Sequence, residues 1–136
     1  MKHFVVDCSV VMAWCFEDES DEYADSVLDR LTVSEAVVPS IFALEVANVL
    51  LVGERKNRLT EADSSRFIEM LRELPIIVDQ ETSDRAMTEI LAVGREQSLS
   101  SYDAAYLELA MREGVALATQ DKILRKAARS CGVKLL

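Results

Sequence analysis

The sequence predicts a single α/β domain built on a parallel sheet with helices on both faces. Three observations predict it. The chain has 136 residues, one domain's worth of polypeptide, read as a single domain over 1–136. Half of the residues are hydrophobic and 29% are charged, so the chain can bury a core and is not of disordered composition. Short apolar runs alternate with longer amphipathic stretches, which is the rhythm of strands joined by crossover helices. Only four Gly and two Pro occur, too few turn-formers for an all-β sandwich.

Taken in order, His3-Phe4-Val5-Val6 is a β-branched run that reads as the first strand. Residues 10–16 and 20–32 read as helices. Ala36-Val37-Val38 is a second strand closed by Pro39, and Ser40 is placed to cap a helix running to about Arg55. Thr60-Glu61-Ala62-Asp63 carries a capping-box pattern and opens a helix that Pro75 stops at about Leu74. Ile76-Ile77-Val78 is the third strand. Helices follow over 82–97 and 102–112, the second ended by Gly114. Residues 115–118 form the fourth strand, 121–130 a last helix ended by Gly132, and Val133-Lys134-Leu135 a fifth short strand. No repeat, linker or low-complexity segment interrupts the series.

The charge narrows the function. Fifteen Lys and Arg stand against 24 Asp and Glu, a net charge of −9. A plain nucleic-acid-binding module is basic, so this chain meets RNA or DNA only through a local basic patch or through bound cations. Glu17, Asp18, Glu19, Asp21, Glu22, Asp25 and Asp29 crowd the stretch 17–29, which is either a solvated face or a landing surface for a basic partner. Cys8, Cys15 and Cys131 form no CxxC pair, and with a single histidine they make a zinc site a poor expectation. Free thiols point to a reducing, cytoplasmic setting. The apolar stretch 4–16 is too short for a membrane span and lacks the marks of a signal peptide.

Four carboxylates stand in unusual places. Asp7 follows the first strand directly and is the only acid between His3 and Glu17; a cap on the next turn is its plainer role. Glu45 and Asn48 are the only polar residues from Ile41 to Val52, and their spacing puts them on one helix face. A helix apolar nearly all round reads as buried, and a buried carboxylate needs a partner or a metal; exposure is the alternative. Asp103 follows Ser100 by three residues, as a capping acid does. Asp121 follows the fourth strand, where an N-cap is equally served, and no acid occurs after it.

In open parallel sheets ligands gather beyond the carboxyl ends of the strands, where these four residues can converge. Each ionised pair at ~5 Å costs about 3 kcal/mol at an effective dielectric near 20. Such a cluster raises its pKa values or binds divalent cations. Oxygen ligands without His or Cys favour Mg²⁺ or Mn²⁺, and such ions activate water and stabilise displacement at a phosphodiester. Cations also bridge an acidic protein to an anionic substrate.

The ordered set resembles the PIN-domain nucleases, in particular the VapC-type toxins of type II toxin–antitoxin pairs, over the whole chain. Val6-Asp7-Cys8-Ser9-Val10-Val11 resembles the family's opening strand and first acid. Leu44-Glu45-Val46-Ala47-Asn48-Val49-Leu50 resembles its helix-borne second acid with the accompanying Asn. Ser101-Tyr102-Asp103-Ala104-Ala105-Tyr106 resembles the third motif, and Ala118-Thr119-Gln120-Asp121-Lys122-Ile123-Leu124 the fourth. The resemblance implies a PIN-like three-layer α/β/α sandwich with a five-stranded parallel sheet of order 3-2-1-4-5. It implies that Asp7, Glu45, Asp103 and Asp121 are the catalytic metal ligands, that the hydroxyls of Ser9 and Thr119 support them, and that Asn48 orients Glu45 or the substrate. Cys8 matches a variable position and takes no role; a further acid that some relatives carry near the fourth is missing here. The implied reaction is Mg²⁺-dependent hydrolysis of RNA leaving 3′-hydroxyl and 5′-phosphate ends, with Mn²⁺ as a substitute ion. The implied partners are an antitoxin with a basic C-terminal tail and a second copy of the chain in a homodimer.

Other features have two readings each. Lys122, Arg125, Lys126 and Arg129 form a basic face beside Asp121, for phosphate contacts or for the helix dipole. Arg55, Lys56 and Arg58 are a weaker version of it. Tyr102 and Tyr106 are i, i+4 neighbours read as packing, with Tyr102 also placed to touch RNA; Trp14, Phe16, Phe42 and Phe67 are core or interface residues. Aspartyl-phosphate chemistry does not fit, because the phosphatase pattern wants a second Asp where Ser9 stands. A housekeeping RNA-processing nuclease with the same site, and a non-catalytic module of the same fold, are the alternatives to a toxin.

Overall fold

The computed structural model describes residues 2–136. Four strands, β1 (Lys2–Val6), β2 (Ser34–Val38), β3 (Ile76–Val78) and β4 (Ala116–Ala118), form one sheet. Its order is β3-β2-β1-β4 and all three pairings are parallel. The register sets Phe4 beside Ala36 and Ala116, and brings Val6 level with Ala118. Parallel neighbours require crossover helices, and the sequence supplies them between successive strands.

Helices α1 (Cys8–Ala13) and α2 (Glu22–Arg30) join β1 to β2, with a 3₁₀ turn at Glu17–Glu19 between them. Helices α3 (Phe42–Arg55) and α4 (Glu61–Glu73) join β2 to β3. The stretch expected as one helix over 82–97 is divided into α5 (Thr82–Arg85), a π-helical turn (Ala86–Ile90) and α6 (Leu91–Gln97). Helix α7 (Ser101–Glu113) leads to β4, and α8 (Lys122–Ser130) follows it. Gly114 ends α7 as expected, at φ 66°, a left-handed conformation that a residue without Cβ adopts at no steric cost.

The core lies on both faces of the sheet, as expected for a parallel sheet. Val5, Val6, Val38, Leu107, Leu109, Leu117 and Leu124 are among its fully buried side chains. No helix among the described residues is long and apolar enough to cross a membrane.

Three local expectations are corrected. The fifth strand is reduced to one parallel bridge between Leu117 and Leu135, held by Leu117 N–H to the Lys134 carbonyl (2.9 Å) and Leu136 N–H to the Leu117 carbonyl (3.0 Å). Leu135 occupies the fifth place in the expected order, but a three-residue β4 offers too short an edge for a longer ladder. Ser40 does not cap α3: the N-cap is Ile41, and the Ser40 N–H donates to Thr82 Oγ1 at 2.9 Å. Helix α3 is not buried all round. Phe42, Val46, Leu50 and Gly53 face the core, while Leu44 (69%), Leu51 (46%) and Val52 (37%) stay exposed.

Candidate functional site

The carboxyl ends of β1 and β4 lie side by side, and the chain leaves both through an aspartate. Asp7 N–H extends the ladder to the Ala118 carbonyl (2.9 Å), and its own carbonyl accepts from Val10 N–H (3.0 Å) as α1 begins. The residue is thus fixed from both sides. Its side chain does not cap α1. Instead Oδ2 accepts from Ser9 Oγ (2.8 Å) and from Thr119 Oγ1 (2.9 Å), and the residue is buried. Thr119, fully buried, also accepts from Asp121 N–H at 3.1 Å, so one hydroxyl ties the first acid to the fourth.

Asp121 is the N-cap of α8: its Oδ2 accepts from Leu124 N–H at 2.8 Å, leaving Oδ1 for the cleft. Asp103 lies in the first turn of α7. Ser100 caps that helix by accepting from Asp103 N–H (3.1 Å), but the Asp103 carboxylate does not complete a reciprocal box. Thr60 and Asp63, with the same spacing, do complete one. Glu45, in the first turn of α3, accepts from the Tyr106 hydroxyl at 2.6 Å.

Asp7, Glu45, Asp103 and Asp121 line one cleft of about 460 Å³ together with Cys8, Ser9, Met12, Glu19, Asn48 and Val49. All four acids singled out in the sequence therefore meet, although they come from four separate segments. No Lys, Arg or His lines this cleft among the described residues. Burial raises the Asp103 pKa above its ordinary value, and the neighbouring Asp7 and Asp121 raise it further. Burial likewise raises that of Glu45; the Tyr106 hydrogen bond opposes the rise, and Asp7 and Asp103 add to it. Burial, then Glu45 and Asp7, push the Cys8 thiol up to about 12.

A divalent cation fits this donor set. Oxygen donors predominate, and among the described residues no ion pair neutralises Asp7, Glu45, Asp103 or Asp121, whereas Glu19 is paired with Arg58. No three His, Cys, Asp or Glu among the described residues enclose an ion-sized point.

Other expected contributors divide. Asn48 is exposed at the rim; the hydrogen-bond partner of Glu45 is Tyr106, not Asn48. Arg125 donates to the Thr119 carbonyl at 2.8 Å, which anchors the fourth motif, while Lys122, Lys126 and Arg129 are exposed. Arg58 is engaged by Asp18 (2.9 Å) and Glu19 (3.1 Å) over the Phe16 ring, so it is not a free phosphate contact. Tyr106, read as packing, is the residue that sequence reasoning missed. Its position three residues after Asp103, on the same face of α7, was the available signal.

A family model described as PIN domain matches residues 4–130. The chain belongs to the PIN-domain family. The match begins in β1 and ends at the close of α8, so it spans all four cleft acids. Ribonuclease VapC3 of Pyrobaculum aerophilum is 29% identical over 120 residues, covering 88% of this chain and 90% of that protein. The crystal structure of PAE2754 from Pyrobaculum aerophilum superposes with a TM-score of 0.68 at 24% identity, over 93% of this chain and 79% of the other. VapBC2 from Rickettsia felis, bound to a promoter DNA fragment, gives 0.67 at 16% identity over 98% and 97%. FitAcB from Neisseria gonorrhoeae gives 0.64 at 16% identity over 98% and 96%. At these identities the structures speak for the fold: a PIN-like parallel sheet flanked by helices.

Proposed function

We propose that this PIN domain is a divalent-metal-dependent endoribonuclease and the toxin of a type II toxin–antitoxin pair. One observation carries the nuclease reading: four carboxylates from four segments face one cleft at the carboxyl edge of the sheet, with no cationic side chain lining it. Asp7, Glu45, Asp103 and Asp121 are the residues that would hold Mg²⁺ or Mn²⁺. When bound, such an ion supplies charge neutralisation at the phosphodiester and a water acidified toward attack.

The chain's own residues have separate tasks. Ser9 and Thr119 hold Asp7 Oδ2 in place, and outer partners of this kind fix the orientation of a ligand. Thr119 and the α8 N-terminus hold Asp121 beside it. Asn48, at the rim, is the polar group offered to the substrate, and Lys122 and Lys126 offer phosphate contacts outside the cleft.

The toxin role draws on the likeness to VapC3 and on the fold shared with VapBC2 and FitAcB. An antitoxin with a basic tail suits an acidic cleft in a chain of net charge −9. The exposed apolar residues of α3, and a groove of about 480 Å³ between α3, α4 and β3, offer surface for the antitoxin and for a second copy in a homodimer. The unpaired Cys8, Cys15 and Cys131 suit a reducing cytoplasm.

Cleavage of a panel of structured cellular RNAs by the purified chain, with Mg²⁺, with Mn²⁺ and with EDTA, tests the reading. Metal-dependent cutting that disappears in Asp7→Asn is the expected result. Neither cleavage nor metal binding by antitoxin-free protein, across total cellular RNA, would overturn it in favour of a non-catalytic module.

A further inference from the structure

Tyr106 lies in the middle of α7 and is fully buried, yet its hydroxyl has a carboxylate as its acceptor. The 2.6 Å contact runs to Oε1 of Glu45, on a different helix and 61 residues away in sequence. A buried tyrosine hydroxyl requires a partner, and here the partner is one of the four cleft acids. The contact engages Oε1 alone and leaves Oε2 as the oxygen available to the cleft. Glu45 is otherwise a long side chain with several rotatable bonds, carried on a helix whose outer face is solvent-exposed. Two of the other acids are held by short links: Asp7 by two hydroxyls and Asp121 by a helix cap.

We propose that Tyr106 is a positioning residue: its hydroxyl fixes one oxygen of Glu45 and so presets the other to bind a divalent cation in the cleft. Helix α7 then serves the site twice, supplying Asp103 directly and orienting Glu45 through Tyr106 one turn later. The inference rests on the reading of Glu45 as a metal ligand, and its test separates the two.

Mn²⁺ alone is the probe, titrated into the full chain by calorimetry and followed by its paramagnetic resonance signal. Tyr106→Phe keeps the ring and removes only the hydroxyl. It is expected to weaken Mn²⁺ binding roughly 10- to 100-fold, the effect of losing a partner that orients a ligand. Glu45→Gln is expected to weaken it at least as much, and the double variant to bind no more weakly than Glu45→Gln. Wild-type Mn²⁺ affinity in Tyr106→Phe beside a loss in Glu45→Gln rejects the positioning role and leaves the ligand set standing. Wild-type affinity in both rejects Glu45 as a ligand, and the inference with it. A further loss in the double variant beyond Glu45→Gln shows Tyr106 acting by another route and also rejects the proposal. If Tyr106→Phe does not fold, Glu45→Asp asks the same question, since it keeps the charge but withdraws it from the hydroxyl; undiminished Mn²⁺ affinity there rejects the proposal equally.

Discussion

Toward the C-terminal end of α7, Arg112 lies between Asp79 (2.8 Å) and Glu108 (3.2 Å), and Arg85 approaches Glu108 at 3.6 Å. At the N-terminal end of the same helix, Asp103 faces Asp7 and Asp121 with no cation lining the cleft. Both groups are acidic, but the pKa shifts of Asp79 on one side and of Asp103 and Glu45 on the other run in opposite directions. The Arg112 hydrogen bond holds Asp79 below the usual carboxylate range, whereas burial and like charge lift Asp103 and Glu45 above it. One cluster is closed by its own arginines and holds the fold together. The other is left open, and on the proposed function the charge missing from it is the charge a divalent cation would bring.

The largest expected effect breaks the closed cluster. Arg112→Met leaves Asp79 and Glu108 facing each other in a site where all three side chains are 7–13% exposed. Removing one partner of a buried pair costs about 3–5 kcal/mol. Urea denaturation should show that loss. A change below 1 kcal/mol would mean that water already screens the network, and the contrast with the cleft would fade.

The second prediction closes the open cluster from outside. Mg²⁺ or Mn²⁺ at a hundred times its dissociation constant should stabilise the folded chain by about 2.7 kcal/mol, seen as a higher melting temperature. Asp7→Asn should abolish the gain, while Arg112→Met should retain it despite its lower starting stability. Equal stabilisation of wild type and Asp7→Asn would place the ion elsewhere.

The two clusters were not equally legible in the sequence. The cleft acids stood out by their places at strand ends and helix starts, and β1 to β3 were legible from their β-branched runs and β4 from a short apolar run. The arginine cluster did not, because Arg112 and Asp79 lie 33 residues apart and neither position looks unusual locally. The π-helical turn at Ala86–Ile90 was hidden because one widened turn barely disturbs an amphipathic pattern. The exposed face of α3 was misread for a different reason: a helix apolar all round reads as buried, whether its outer face meets the core or awaits a partner. Thr60-x-x-Asp63 and Ser100-x-x-Asp103 are the same pattern in sequence, yet only the first closes a reciprocal box.

That pair of caps gives a third, smaller effect. Thr60→Ala removes the oxygen that accepts from Asp63 N–H and also leaves the reciprocal bond without its frame, at a cost of about 1 kcal/mol. Ser100→Ala should cost no more than that, since only one bond is lost. A larger loss at Ser100 would show that the α7 cap is coupled to the cleft behind it.

The smallest expected effect concerns pH and reads the sign of the contrast directly. Asp79 has a lowered pKa in the fold, so its contribution to stability is present above its ordinary value of 3.8 and is lost as acid protonates it below that. Asp103 and Glu45 have raised pKa values, so between their ordinary 3.8 and 4.5 and their higher folded values the folded chain binds more protons than the unfolded one. Their contribution therefore falls as pH rises through that window. In metal-free protein, Asp103→Asn and Glu45→Gln should make stability less dependent on pH just above those ordinary values, while Asp79→Asn should change it only below 3.8. Denaturation midpoints across this acid range would separate the two behaviours. Saturating Mn²⁺ should reverse the sign for the cleft acids alone, because a bound cation favours the ionised carboxylates that burial opposes.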